Sequence, residues 1–147
     1  MKLEGSHAIN APCARVFESL IDPQVLLLCI PGCESLERTS EGIYAMKIRA
    51  GVGPIKGLFN GTVRMEDLRE PEHYRLVVEG KGTTGFLKGS GDLDLEEEGD
   101  TTVIKYTGEI QVGGLIAGVG QRMVLSAARM MASQFFTALE EQTLQRN

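Results

Sequence analysis

Three cysteines, two histidines and three tyrosines are the side chains of this sequence best suited to chemistry. Cys29 and Cys33 flank Ile-Pro-Gly, a longer step than the two-residue spacer of zinc knuckles and redox dithiols, and Cys13 is far off in sequence. With only His7 and His73 to complete a metal site, the thiols read as free and packed, and no metal is expected. His7 falls on the same strand face as Leu3 and Ile9, where a histidine is more often a satisfied core residue than a base. An acid–base enzyme would need a protected carboxylate or an activated nucleophile, but Glu66, Glu79, Asp92, Asp94 and Glu109 alternate onto outward strand faces. No catalytic residue is assigned. Tyr44, Tyr74 and Tyr106 recur on inward faces, where their hydroxyls would bond either a buried ligand's carbonyl or the backbone. Gly80-Lys81-Gly82-Thr83 and Gly89-Ser90-Gly91 lack the full spacing of a phosphate loop and do not open a helix.

The elements that would position these residues follow from periodicity. Residues 3–10 alternate as a strand. Pro12 then opens a helix with Val16, Phe17, Leu20 and Ile21 at helical spacing, and Pro23 opens a second short helix over 24–29 that Pro31-Gly32 ends. From 34 to 112 the period is two, broken by turn chemistry at Ser40-Glu41-Gly42, Gly53-Pro54, Glu70-Pro71-Glu72, Thr83-Thr84-Gly85 and Glu98-Gly99-Asp100, which leaves room for six more strands. Connections this short favour antiparallel hairpins. Residues 117–142 contain no proline and repeat apolar side chains at Val124, Ala127, Ala128, Met131, Phe135 and Leu139, the pattern of a long amphipathic helix.

From the third strand to the seventh the apolar set is free of charge, so each of these strands has one core face. That face also carries Gly57, Gly61, Gly80, Gly82, Gly89, Gly91 and Gly108. Glycine inside a strand is unfavourable unless space or a bend is needed, so the set predicts either a sharply curved sheet or a cavity between sheet and helix. The cavity reading assigns ligand contact to Ile55, Phe59, Val63, Tyr74, Val78, Leu87, Leu93, Tyr106 and Ile110 from the sheet, and to Met123, Ala127, Met131 and Phe135 from the helix. Leu26, Leu27 and Leu28 cannot all face inward on one short helix, because successive residues turn by about 100°. They are assigned to a gate, over 25–31, that touches membrane or partner.

Composition narrows the classes further. The 147 residues are 42% hydrophobic, enough for the core of one domain over 1–147. A net charge of −5 offers no footprint for nucleic acid. The longest apolar runs, 25–30 and 115–120, are far short of the ~20 residues of a spanning helix. The amino terminus lacks a signal peptide's apolar segment, so a cytoplasmic location is expected, at most peripheral at the inner face of the cell membrane.

Four strings carry a resemblance: DPQVLLLCIPGCESLE from Asp22, VGPIKGLFNGTV from Val52, GKGTTGFLKGSG from Gly80, and EIQVGGLIAGVGQRM from Glu109 followed by QFF at Gln134. Together with the element order they resemble the helix-grip fold of the START-like, Bet v 1-like (SRPBCC) superfamily. They resemble more specifically the CoxG-like family of carbon monoxide dehydrogenase subunits. The resemblance implies an α+β fold in which a seven-stranded curved antiparallel sheet wraps a long carboxy-terminal helix, with two short helices after the first strand. It implies a non-catalytic accessory protein of a molybdenum hydroxylase of the carbon monoxide dehydrogenase type. Its cavity would hold a quinone or isoprenoid lipid, and it would help recruit the enzyme to the membrane surface or deliver an electron acceptor. A START-like cyclase or hydrolase acting on an apolar substrate, and an interaction module without ligand, are the competing expectations.

Overall fold

A strand of eight residues, β1 (Lys2–Ile9), leads into α1 (Cys13–Leu20) and α2 (Pro23–Cys29) in the computed structural model, which describes residues 1–53 and 55–145. Six strands follow: β2 (Cys33–Ser40), β3 (Ile43–Val52), β4 (Ile55–Arg69), β5 (His73–Gly82), β6 (Gly85–Glu98) and β7 (Thr101–Gly113). A 3-10 turn over Gly114–Val119 connects β7 to α3 (Gln121–Gln145). All seven strands form one antiparallel sheet in the order β1-β7-β6-β5-β4-β3-β2. The sheet curves around α3, as the period-two faces and the single long apolar helix require. Pro54, placed by the sequence in the β3–β4 turn, lies outside the described residues.

Local chemistry accounts for the short helices. The Asp22 carboxylate accepts the Gln24 N–H at 2.9 Å, capping α2, and Pro23 occupies the first helical position, where its missing N–H costs nothing. α1 turns Val16, Phe17 and Leu20 into the core. Both helices lie against the carboxy-terminal half of α3, where the Arg15 guanidinium donates to the Leu144 carbonyl at 3.4 Å.

The long helix starts later than its apolar pattern suggests. Residues 117–119 belong to the 3-10 turn, and Gly120 sits at φ 94°, ψ 156°, a conformation essentially closed to residues with a Cβ, so α3 begins only at Gln121. The turn is tied to the sheet where the Ile116 N–H donates to the Thr84 carbonyl at 3.1 Å, and the Thr84 hydroxyl donates to the Lys56 carbonyl at 2.9 Å. Three connections thus meet at one end of the molecule: β3–β4, β5–β6 and β7–α3. The β2–β3, β4–β5 and β6–β7 turns lie at the other end, as the antiparallel order demands.

Candidate functional site

Between the concave face of the sheet and α3 lies a cavity of about 250 Å³. Of the residues assigned to ligand contact by sequence, Ile55, Phe59, Val78, Leu87, Leu93, Tyr106 and Ile110 line it from the sheet, and Met131 and Phe135 from the helix. The floor is partly bare backbone. A Cβ on Gly89 would meet no atom within 4 Å, and one on Gly91 would make only ordinary contacts at 3.8 Å or more. The inward glycines therefore divide by role. A Cβ on Gly61 would run into the Glu79 carbonyl of the next strand, and one on Gly82 into the Leu58 carbonyl. Gly61 and Gly82 let strands approach and bend; Gly89 and Gly91 leave space.

Four assigned residues lie elsewhere. Val63 is fully buried in the core, paired with Tyr44 and Val78 on the neighbouring strands. Tyr74 is also fully buried; its hydroxyl donates to the Leu20 carbonyl at 3.3 Å and its ring meets Phe17 edge-on. Desolvation raises the Tyr74 phenol's pKa, so the group stays neutral and structural. Ala127 is buried beside Gly53, outside the cavity wall, and Met123 is exposed to solvent. The helix error has a geometric cause: residues taken in steps of four drift by about 40° per step around a helix. A strip through Met131 and Phe135 has turned away by Met123. The helical wall is instead Ala128, Met131, Ala132, Phe135 and Phe136, a three-and-four spacing that was available in the sequence. Met46, Ile48, Ala50, Leu76 and Val112 add to the sheet wall from the same inward sets, and Lys88, Ser90, Thr107 and Glu109 border it from the alternate positions.

The assigned gate divides as helical geometry requires. Leu26 is fully buried, Leu27 is half-buried, and Leu28 is 61% exposed. Ile30, which follows α2, reaches the cavity wall. Leu26 is therefore a core residue rather than part of a movable surface.

The charged residues that border the cavity are Lys88, 3.4 Å from Glu79, and Glu109, 3.8 Å from the amino terminus. His7 does face inward, but its Nε2 lies 2.9 Å from Glu140 Oε1 and its ring stacks on Phe136 at 5.9 Å between centroids. Tyr106 stacks on the same phenylalanine at 4.6 Å and is the tyrosine that lines the cavity. His7 is not among the lining residues. Burial, with the Glu141 carboxylate nearby, pushes the Cys29 thiol up to about 12, and burial also raises Cys33. Neither is an activated nucleophile. Among the described residues no group of three or more His, Cys, Asp or Glu side chains is placed to hold a metal ion.

The outward carboxylates are paired rather than merely solvated. Arg75 holds Asp92 at 2.9 Å and Glu66 at 3.7 Å, and Glu79 lies 3.4 Å from Lys88 and 3.7 Å from Arg64. His73 is buried beneath this layer, with Nδ1 2.9 Å from Asp94 and Nε2 3.2 Å from Asp67. These side chains alternate onto the outward face of the sheet, and Lys88 also borders the cavity.

Comparison with known proteins places this geometry. The model of the CoxG family of carbon monoxide dehydrogenase subunits matches residues 5–144. A conserved protein from Geobacillus kaustophilus superposes with a TM-score of 0.94 at 32% identity, covering 99% of this chain and 96% of the other. A START superfamily protein from Mycobacterium smegmatis superposes with a TM-score of 0.74 at 12% identity, over 98% and 97% of the two chains. Ara h 8.0201 does so at 0.72 and 15% identity, over 99% of each. No curated protein matches the sequence.

Proposed function

Because the chain belongs to the CoxG family of carbon monoxide dehydrogenase subunits, we propose that it is a non-catalytic accessory protein of a molybdenum hydroxylase of that type. It holds an apolar ligand such as a quinone or isoprenoid lipid in the cavity, and helps recruit the enzyme to the membrane or hand it an electron acceptor. The observation that carries the reading is the cavity itself: a predominantly apolar lining, with Lys88 and Glu109 as its charged members, and a floor opened by Gly89 and Gly91. Size constrains the ligand. An apolar cavity of ~150 Å³ accepts benzene, so about 250 Å³ suits a one- or two-ring head group and not a coiled isoprenoid chain. A long tail would have to leave the cavity. Ile30 and the exposed Leu28 make α2 the candidate gate beside the ligand. No described helix is long and apolar enough to cross a membrane, so contact with a bilayer would be peripheral.

Organic extraction and mass spectrometry of protein purified from its native host tests the reading. A lipid with a one- or two-ring head group, such as a quinone with an isoprenoid tail, is expected in near-stoichiometric amount, and it should be absent from a Gly89→Leu variant. Recovery of no apolar compound, or of the same compounds from both proteins, would overturn it.

A further inference from the structure

The end of the molecule where the β3–β4, β5–β6 and β7–α3 connections meet differs in charge from everything else. Residues 49–58, 80–90 and 110–129 contain Arg49, Lys56, Lys81, Lys88, Arg122 and Arg129, and no aspartate or glutamate. These six cations leave nine basic against 20 acidic residues for the rest of the chain, a balance of −11 in a protein of net −5. The carboxylates at its border are Glu34, Glu79, which lies 3.4 Å from Lys88, and Glu109. Arg49 pairs with Glu34, whereas Lys56, Lys81, Arg122 and Arg129 make no ion pair among the described residues.

The same end exposes large apolar side chains. Leu115 is 76% exposed, Met123 54%, Phe86 45% and Val119 41%. They come from the start of β6, the 3-10 turn and the first turn of α3, and the Ile116–Thr84 and Thr84–Lys56 hydrogen bonds tie the 3-10 turn to the β5–β6 connection and β4. Bulky apolar groups in water have a cost, and clusters of them mark contact surfaces. Here they protrude from a tip flanked by cations.

We propose that this tip docks onto an anionic lipid surface, with Leu115, Val119, Met123 and Phe86 entering the head-group and acyl boundary while the lysines and arginines meet lipid phosphates. Apolar insertion and electrostatic attraction add at such interfaces, each basic residue near the surface strengthening binding about fivefold. Glu34 and Glu79 take up Arg49 and Lys88, which leaves Lys56, Lys81, Arg122 and Arg129 to meet the lipid phosphates. A surface hollow bordered by Phe86, Ala117, Gly120 and Val124 shares Ile110 and Val112 with the ligand cavity, so the docked tip sets the cavity wall beside the bilayer. The inference deepens the membrane part of the proposed function by naming the surface responsible. It does not require the cavity to be loaded.

The test is co-sedimentation of the full chain with vesicles of phosphatidylcholine containing 30% phosphatidylglycerol, and of phosphatidylcholine alone. Binding to the anionic vesicles at low salt is expected, at least tenfold weaker to the neutral vesicles and falling steeply as salt rises. Lys81→Glu/Arg122→Glu and Leu115→Ser/Met123→Ser should each lose tenfold or more while keeping the parent melting temperature, and Leu28→Ser should bind as the parent does. Either double variant decides if the other fails to fold. Absence of binding to anionic vesicles, equal binding to both lipids, unchanged binding of a folded tip variant, or loss on Leu28→Ser alone would overturn the proposal. So would binding to soluble polyglutamate without binding to vesicles, the mark of an acidic protein partner. Ligand content is read separately by extraction, so either proposal can fail while the other stands.

Discussion

At Gly61 and Gly89 the same residue type does two different jobs on the same sheet face. A methyl group on Gly61 would press on the Glu79 carbonyl, a backbone atom that cannot swing aside. Gly61→Ala should therefore cost about 3 kcal/mol, the upper end of overpacking penalties, measurable by urea unfolding. A loss below 1 kcal/mol would mean that the strands separate easily. Cys29 makes a second, pH-dependent case. Its thiol is raised to about 12 from an ordinary 9, so the folded chain holds that proton more tightly than the unfolded chain. The resulting stability is complete below pH 9 and is lost as pH climbs toward 12. The melting temperature should fall over that window, and less steeply in Cys29→Ala; identical slopes would remove the thiol from the explanation. Face assignments of single residues were legible because alternation sorts them in two. Depth was not. Nothing in the period distinguishes Val63, locked between two strands, from Val78 at the cavity wall, and nothing local reveals that Tyr74 has spent its hydroxyl on Leu20, 54 positions away.

Among the elements, the strands are the readable part, since each charge-free set in the sequence became the concave face. The connection between β7 and α3 was not readable by period, because the apolar residues of 115–119 fit a helix as well as the 3-10 turn they form. What decides is backbone conformation at Gly120. No atom lies within 4 Å of a Cβ built there, so Gly120→Ala meets no crowding, yet φ 94° alone should cost ~1–3 kcal/mol. Thermal unfolding of that variant separates a conformational cost from a steric one; an unchanged melting temperature would show that α3 can start earlier. α2 shows the opposite situation, in which adjacent leucines have opposite fates. Leu28→Ser should leave stability within ~1 kcal/mol, as at other surface sites, whereas Leu26→Ser, at a fully buried position, should cost at least ~3 kcal/mol. If α2 gates the cavity, Leu28→Ser also slows ligand transfer to vesicles; unchanged transfer would leave α2 as packing alone.

For the molecule as a whole, the cavity is a stability cost kept in place by the arrangement of glycines. Cavities left by deleting core side chains destabilise by about 24 cal/mol per Å³, which sets the upper limit for about 250 Å³ near 6 kcal/mol, less wherever water enters. A protein selected only to fold would gain by filling the space. Gly89 is the place to fill it: its Cβ direction is open, it lies mid-strand opposite Val78 and Ile110, and glycine is a poor strand residue. Gly89→Leu should therefore raise the stability of the ligand-free protein by ~1–3 kcal/mol. At the usual ~2–4 °C per kcal/mol for chains near this length, that is a rise in melting temperature of about 3 °C or more. The same variant should lose the stabilisation that a bound ligand gives the parent, which reaches ~2.7 kcal/mol at a hundredfold excess over Kd. The two effects have opposite sign, and scanning calorimetry of parent and variant, before and after adding a short-chain quinone, reads both. If Gly89→Leu is destabilised without ligand, the glycine serves sheet curvature, as Gly61 does. If it is stabilised but still shifts with quinone as the parent does, the ligand sits elsewhere.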